Sequence, residues 1–259
     1  MKYISNADVT LWTGGWDSTF RVLQRARVEK IDVHPCYVVD RGRASAGAEV
    51  SAMNRLLRTL QEQDPETLGR IAPIRYVARG AIPVIPSVTE AWDHLRETLD
   101  IGRQYDWLAR LAESEEWSQV ELCIHGKGRL RPLLGDHVHP VERSDGRVVY
   151  EVSPEAPEAL RLVFGRFAFP FWLTDKHEDF ELASRQGLVE LLDSHTWFCF
   201  SPTKGGPCGT CRPCQFVIRD GFAHRIPRSV RFRNMVAQAV RVARMKIGIR
   251  TRLRSLTER

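Results

Sequence analysis

Two short stretches of this chain carry residue types whose spacing can do chemistry. The first, Thr13-Gly14-Gly15-Trp16-Asp17-Ser18-Thr19, closes the β-rich run Asp8 to Trp12 and opens a helical pattern marked by Phe20, Leu23 and Gln24. Two adjacent glycines let backbone N–H groups turn inward on an anion, Ser18 and Thr19 add hydroxyl donors, and the following helix directs its positive end at the same spot. A strand, a glycine loop and a helix in that order make a phosphate cradle. The spacing fits neither G-x-x-x-x-G-K-S nor G-x-G-x-x-G, so a Walker-type site and a dinucleotide fold are not supported. A plain Gly-Gly turn at a strand end is also compatible with so short a motif.

The second stretch is Cys199-x8-Cys208-x2-Cys211-x2-Cys214, four of the six cysteines within sixteen residues. The start, Met1 to Asp8, has no apolar signal-peptide centre, so a cytoplasmic location and free thiolates are expected rather than disulfides. Four closely spaced thiolates satisfy a tetrahedral zinc ion and leave no open position for substrate, which predicts structural rather than catalytic Zn²⁺. Gly205, Gly206, Pro207 and Gly209 supply the turns. Cys36 and Cys123 stand alone in apolar runs and read as small apolar fillers.

The elements that must position these stretches follow from the pattern. Asp32 to Asp40 reads as a buried parallel strand and Val50 to Leu60 as a helix ending at Asp64-Pro65. Ile71 to Val77 reads as a third strand, Trp92 to Leu111 as mostly helix, and Val120 to Ile124 as a fourth strand closing on His125-Gly126. This β-α alternation predicts an α/β fold with a mostly parallel, doubly wound sheet that binds ligands beyond the carboxyl ends of its strands. Residues 130–165 interrupt the pattern with a hairpin turn at Asp145-Gly146, expected to be an insertion over the site. A helix from Asp175 to Gln186 is expected to be capped by Thr174 and stopped by Gly187. Three segments result: a sheet domain over 1–187, a four-cysteine zinc-binding segment over 188–222, and a basic helical extension over 223–259. No run of 18 apolar residues exists, which excludes a membrane-spanning helix.

The loop resembles the S-G-G-x-D-S pyrophosphate motif of the N-type ATP pyrophosphatases of the PP-loop superfamily. The cysteine array is similar to that of 7-cyano-7-deazaguanine synthases, the QueC family. The resemblance extends through Asp40-x-Gly42, Gly102-Arg103, Gly126 and Pro170 with Lys176. It implies an adenine nucleotide alpha-hydrolase-like fold and an enzyme that adenylates the carboxylate of 7-carboxy-7-deazaguanine, releasing pyrophosphate and AMP. Ammonia captures the acyl group as an amide, which a second activation dehydrates to a nitrile. Carried over, Gly14, Gly15, Ser18 and Thr19 cradle pyrophosphate in the loop that Thr13 opens. Trp16 inside the loop can stack on a base or serve buried packing. Asp40, Gly102 and Gly126 complete the ATP site. Asp17 ligates Mg²⁺, Lys176 neutralises developing negative charge, and Arg103 holds phosphate or the substrate carboxylate.

The chain departs from that family at the segment after Gly126, where acidic residues are replaced by Lys127, Gly128, Arg129 and Arg131, a set that favours an anion or is simply solvated. The departure keeps open a paralogue that passes the acyl group to an amine of a protein or nucleic acid, as in antiviral or modification systems. A PP-loop tRNA thiolase with Cys123 as sulfur carrier also stays open, as does a zinc-stabilised nucleic-acid-binding module. Residues 222–259 hold ten Arg and one Lys against the single acid Glu258, a net charge of +10 in a chain of +6. Val236, Val240, Ala243 and Ile247 fall on one helical stripe there, with Arg241, Arg244 and Arg250 mostly off it. That helix can pack on its own domain or meet an acidic protein or nucleic acid. The stripe's lack of Trp or Phe disfavours a membrane surface, and a homodimer stays open. The histidines, including His137 and His139 on the irregular segment, read as satisfied or solvated rather than as metal ligands.

Overall fold

Strand residues in this protein alternate between two apolar layers, and that alternation builds the fold. The computed structural model describes residues 9–143, 146–204 and 206–236. The expected tail stripe beyond Val236, the turn residue Asp145, Gly205 and the start Met1 to Asp8 lie outside them. The strands are β1 (Val9–Leu11), β2 (His34–Val39), β3 (Arg75–Ala78), β4 (Val120–Glu121), β5 (Val138–Glu142), β6 (Val148–Val152) and β7 (Phe167–Ala168). They form one sheet in the order β3-β2-β1-β4-β7-β6-β5. The first five in that order are parallel, and β6 and β5 continue the sheet antiparallel.

Helices α1 (Trp16–Leu23), α2 (Ala46–Gln63), α3 (Pro65–Gly69), α4 (Pro86–Thr98) and α5 (Gln104–Ser114) occupy the first half of the chain. Helices α6 (Arg131–Leu134), α7 (Glu158–Phe164), α8 (Lys176–Arg185), α9 (Val189–His195) and α10 (Arg212–Arg219) follow. On one face of the sheet Val9, Leu11, Cys36, Val38, Val120 and Phe167 pack with α4, α5 and α7. On the other, Trp12, Val33 and Tyr37 pack with Phe20 and Leu23 of α1, Met53 and Leu56 of α2, Ala183 of α8 and Leu192 of α9. Period-2 strands with both faces covered are what a doubly wound α/β sheet requires.

Several boundaries differ from those expected of the sequence. The third strand begins only at Arg75, because Pro73 has no N–H for a ladder, and Ile71 makes an isolated bridge to Val33. The fourth spans only Val120–Glu121. The stretch 92–111 is two helices broken around Asp100-Ile101-Gly102. Within residues 130–165, expected as an insertion over the site, the hairpin lengthens the sheet at its β7 edge. His139 therefore stands on β5 rather than in an irregular segment. Helix α8 is capped by Asp175, not Thr174. The Asp175 carboxylate accepts from the N–H groups of His177 and Glu178 while Glu178 reaches back to the Asp175 N–H, a complete capping box. Gly187, at φ +66°, ends that helix as expected.

By compactness the described chain divides into a sheet unit, residues 9–42 and 49–197, and a cysteine unit, residues 43–48 and 198–236. The division falls later than residue 187 because Leu188 and Leu192 are fully buried in the sheet unit's core.

One ionic cluster lies inside the sheet unit. Glu121 of β4 accepts from Arg21 Nε and Nη2 at 3.0 and 2.7 Å and from Arg25 Nη1 at 2.8 Å, while Thr10 Oγ1 donates to its other oxygen at 3.0 Å. All four residues are buried. Burial alone would raise the Glu121 carboxyl, but the two guanidinium groups overcome it and hold it down to about 2. Glu121→Gln removes the carboxylate that faces both guanidinium groups, while Arg21 keeps its 2.7 Å pair with Glu29, and is expected to lower the unfolding free energy by about 3–5 kcal/mol, read from denaturant midpoints. The folded pKa lies below the ordinary 4.5, so this stabilisation is complete above the ordinary value and is lost as pH falls toward about 2. In E121Q that part of the acid dependence should vanish.

Candidate functional site

The loop between β1 and α1 sits where the strand order reverses: β2 and β3 lie on one side of β1, and β4 and β7 on the other. Such a switch point is where open α/β sheets bind ligands. The loop is held in shape from within. The Thr13 N–H donates to Ser18 Oγ at 3.2 Å, the two hydroxyls lie 3.2 Å apart, and Ser18 Oγ donates to the Gly15 carbonyl at 3.4 Å. Gly14 has φ +67°, and a Cβ there would lie 2.7 Å from the Glu49 carbonyl oxygen, so only glycine fits. The Gly14 carbonyl accepts from the Trp197 N–H at 2.8 Å. Helix α1 begins immediately, and its first-turn N–H groups have no partners within the helix.

Asp17, in that first turn, meets Lys176, the first residue of α8. The ammonium donates to both carboxylate oxygens, at 2.8 and 3.0 Å. The fold thus brings together two residues named from sequence and 159 positions apart. Thr19 does not join them. Its hydroxyl accepts from Trp12 Nε1 at 2.9 Å and it is buried, so helical periodicity turns it into the core. Trp16 packs tilted against Phe20 at 5.3 Å, and its indole nitrogen is buried without a hydrogen bond among the described residues, which favours packing over stacking on a base.

The remaining expected residues are spread along the strand ends. Asp40 accepts from the Gly42 N–H at 3.1 Å and pairs with Arg79 at 2.8 Å, closing its own turn. The Gly102 carbonyl accepts from Trp92 Nε1 at 3.3 Å, and Arg103 stands exposed at the start of α5. Gly126 donates its N–H to the Trp172 carbonyl at 3.0 Å, and a Cβ there would come within 2.2 Å of that oxygen. Two cations of the basic segment that follows are answered by acids. Lys127 pairs with Glu178 and Asp175 at the cap of α8, and Arg129 pairs with Asp100.

His125, expected from sequence to be satisfied or solvated, is satisfied by Asp179, a partner that the sequence did not single out. They bond through Nε2 and Oδ2 at 2.8 Å, with the Asp179 side chain fully buried. The available signals were a histidine at the exit of β4 and an acid on the inward face of α8, three residues after Lys176. Cys36 is buried and pushed up to about 12, chiefly by desolvation. Burial raises the Cys123 thiol well above its ordinary range, with nearby carboxylates adding to the effect. Neither has the lowered pKa of a reactive thiol. A cavity of about 720 Å³ is lined by His139, Glu151, Glu158, Arg161 and Arg166 among others, and includes no residue of the glycine loop.

In the cysteine unit the four Sγ atoms of Cys199, Cys208, Cys211 and Cys214 all lie within 4.8 Å of one another. Three of the separations are 3.9, 3.8 and 3.4 Å. A tetrahedral ion at the usual Zn–S distance calls for about 3.8 Å between sulfurs. Backbone N–H groups point at the sulfurs: Cys208 at Cys199 Sγ, Gly209 at Cys214 Sγ, and both Thr210 and Cys211 at Cys208 Sγ. Burial works against the Cys208 thiolate, but bonds from the Thr210 hydroxyl and these amides prevail and lower it to about 6. Asn234 Nδ2 donates to the Cys208 carbonyl at 3.0 Å, tying helical residues 228–236 back to the cluster. The set could hold a metal ion such as zinc.

No family model matches the chain. No helix among the described residues is long and apolar enough to cross a membrane.

Elemental analysis of the purified protein should find one zinc per chain. Cys208→Ser and Cys211→Ser should each remove it, and chelation should lower the thermal midpoint of the wild type but not of either variant.

Proposed function

We propose that this protein is an ATP-dependent carbon–nitrogen ligase of the QueC-like, PP-loop type, with an adenine nucleotide alpha-hydrolase-like sheet and a structural zinc in its cysteine unit. The observation that carries the reading is the Asp17–Lys176 pair at the mouth of the glycine loop, at the sheet's switch point. Phosphate binding needs amide donors and a cation, and phosphoryl or nucleotidyl transfer needs a carboxylate that can hold Mg²⁺. All three converge there. Gly14, lacking a Cβ, lets the backbone turn inward, and the Thr13–Ser18 bonds hold it turned.

In this reading a substrate carboxylate oxygen attacks the α-phosphorus of ATP, and the bond to pyrophosphate breaks. The loop amides and Lys176 stabilise the charge that builds on the departing phosphates. Asp17 would hold Mg²⁺, which screens those phosphates when bound. The acyl adenylate then yields an amide to ammonia, with 7-carboxy-7-deazaguanine as the carboxylate, or yields a conjugate to an amine of a macromolecule. The raised thiol of Cys123 argues against sulfur transfer. The Asp17–Lys176 pair beside the glycine loop argues against a module that only binds nucleic acid.

Zinc-loaded protein with Mg²⁺-ATP, 7-carboxy-7-deazaguanine and ammonium should release AMP and pyrophosphate and should catalyse carboxylate-dependent pyrophosphate–ATP exchange. Asp17→Asn and Lys176→Ala should each reduce exchange about 100-fold or more while leaving the fold intact. Mass spectrometry of small molecules and protein separates free amide or nitrile from a conjugate. No carboxylate-dependent exchange would sink the reading.

A further inference from the structure

The His125–Asp179 pair has no part in adenylation as described above, yet it is built into the same frame. His125 leaves β4 directly before Gly126, and β4 lies parallel beside β1, so the glycine loop and His125 emerge at one edge of the sheet. Helix α8 serves both. Lys176 in its first turn reaches Asp17, and three residues later on the neighbouring turn Asp179 reaches His125 at 2.8 Å.

The imidazole is fixed in place and orientation. Its ring stacks on Phe171 at 5.9 Å and 18°, and Phe171 stacks in turn on Phe20 of α1 at 5.5 Å and 4°. The carboxylate at Nε2 keeps the proton on that nitrogen, which leaves a lone pair on Nδ1. Nδ1 makes no hydrogen bond among the described residues, and the side chain retains 13 % of its exposure. Asp179 is different: its side chain has no exposure, and Oδ1 has no hydrogen-bond partner among the described residues. A carboxylate stripped of water and half-satisfied is costly where it serves packing alone. It is suited to a site where positive charge develops on the imidazole it holds.

We propose that His125, oriented by Asp179, is the general base of the second half-reaction, accepting a proton from the amine nucleophile; the proposal rests on the ligase reading above. The amine nitrogen forms a bond to the acyl carbon, and the carbon–oxygen bond to AMP breaks, its electron pair leaving on the phosphate oxygen. One N–H proton of the amine passes to His125 Nδ1, and the imidazolium, balanced by Asp179, returns that proton to solvent. Adenylation involves no amine and so does not need this residue.

The two half-reactions provide the test. With 7-carboxy-7-deazaguanine, His125→Ala and His125→Gln should keep pyrophosphate–ATP exchange within about threefold of wild type but lose amide formation from ammonium by about 100-fold or more. Added imidazole should restore part of the amide formation in H125A, and Asp179→Asn should show the same split with a smaller loss. H125Q preserves side-chain bulk if H125A folds poorly. Unchanged amide formation in folded H125Q would overturn the proposal, as would a parallel loss of both activities without imidazole rescue. Absence of exchange in the wild type would instead overturn the ligase reading on which the proposal rests, so the two failures are distinguishable.

Discussion

The buried contact between Glu121 and the Arg21–Arg25 pair is the interaction on which the rest of the sheet unit depends. Glu121 occupies the centre of the sheet, in β4, and Thr10 of the neighbouring β1 donates to its second oxygen. Arg21 lies on α1, and Arg25 one turn later in the π-helical continuation Gln24–Glu29. The cluster therefore ties β1, β4 and the first helix to one point. Those elements carry the glycine loop, the exit at His125-Gly126 and Asp17. Apolar residues of similar volume would pack there at comparable stability, so the cluster gives little by way of net energy. Its effect is registration, since a slip of β4 by one residue would turn Glu121 into the opposite apolar layer.

What was legible in the sequence is what depends on local spacing. Gly14-Gly15 after an apolar run marks the end of β1 whatever the remainder of the chain does, and the cysteine array is confined to sixteen residues. Asp17 and Lys176 were each named from the sequence, but their meeting is a product of topology. The ionic cluster was not legible, because helical periodicity assigns arginines to the surface and the counter-charge lies 100 positions away in sequence. One signal was present: a glutamate between Val120 and Leu122, in the middle of a run otherwise fit for burial. His125 and Asp179 were hidden for the same reason, each bland until its partner is known. The hairpin at 138–152 was legible as a hairpin, but not as an extension of the sheet, because nothing in a strand's own residues names its neighbour.

The cysteine unit follows a different logic. Its order comes from sulfur, backbone amides and a few apolar anchors such as Ile226 and Val230, both buried. Gly209 has φ +74° and leaves no room for a Cβ beside Asn234, so the turn between Cys208 and Cys211 and the closing helical segment constrain one another. The four amide donors reduce the cost of gathering thiolates, which suits the set to hold a cation.

Two helix N-termini converge on the Asp17–Lys176 pair, and their polarity matters to what the pair can do. Asp17 in the first turn of α1 is in the favoured position for an anion, whereas Lys176 in the first turn of α8 opposes the local dipole. Asp175 and Glu178 cap that end of α8 but are themselves paired with Lys127. The Lys176 ammonium thus depends on Asp17 for its counter-charge, and its side chain retains 47 % exposure. In the proposed reading, an incoming phosphate at the loop would compete with Asp17 for the Lys176 ammonium, which the two carboxylate oxygens hold at 2.8 and 3.0 Å.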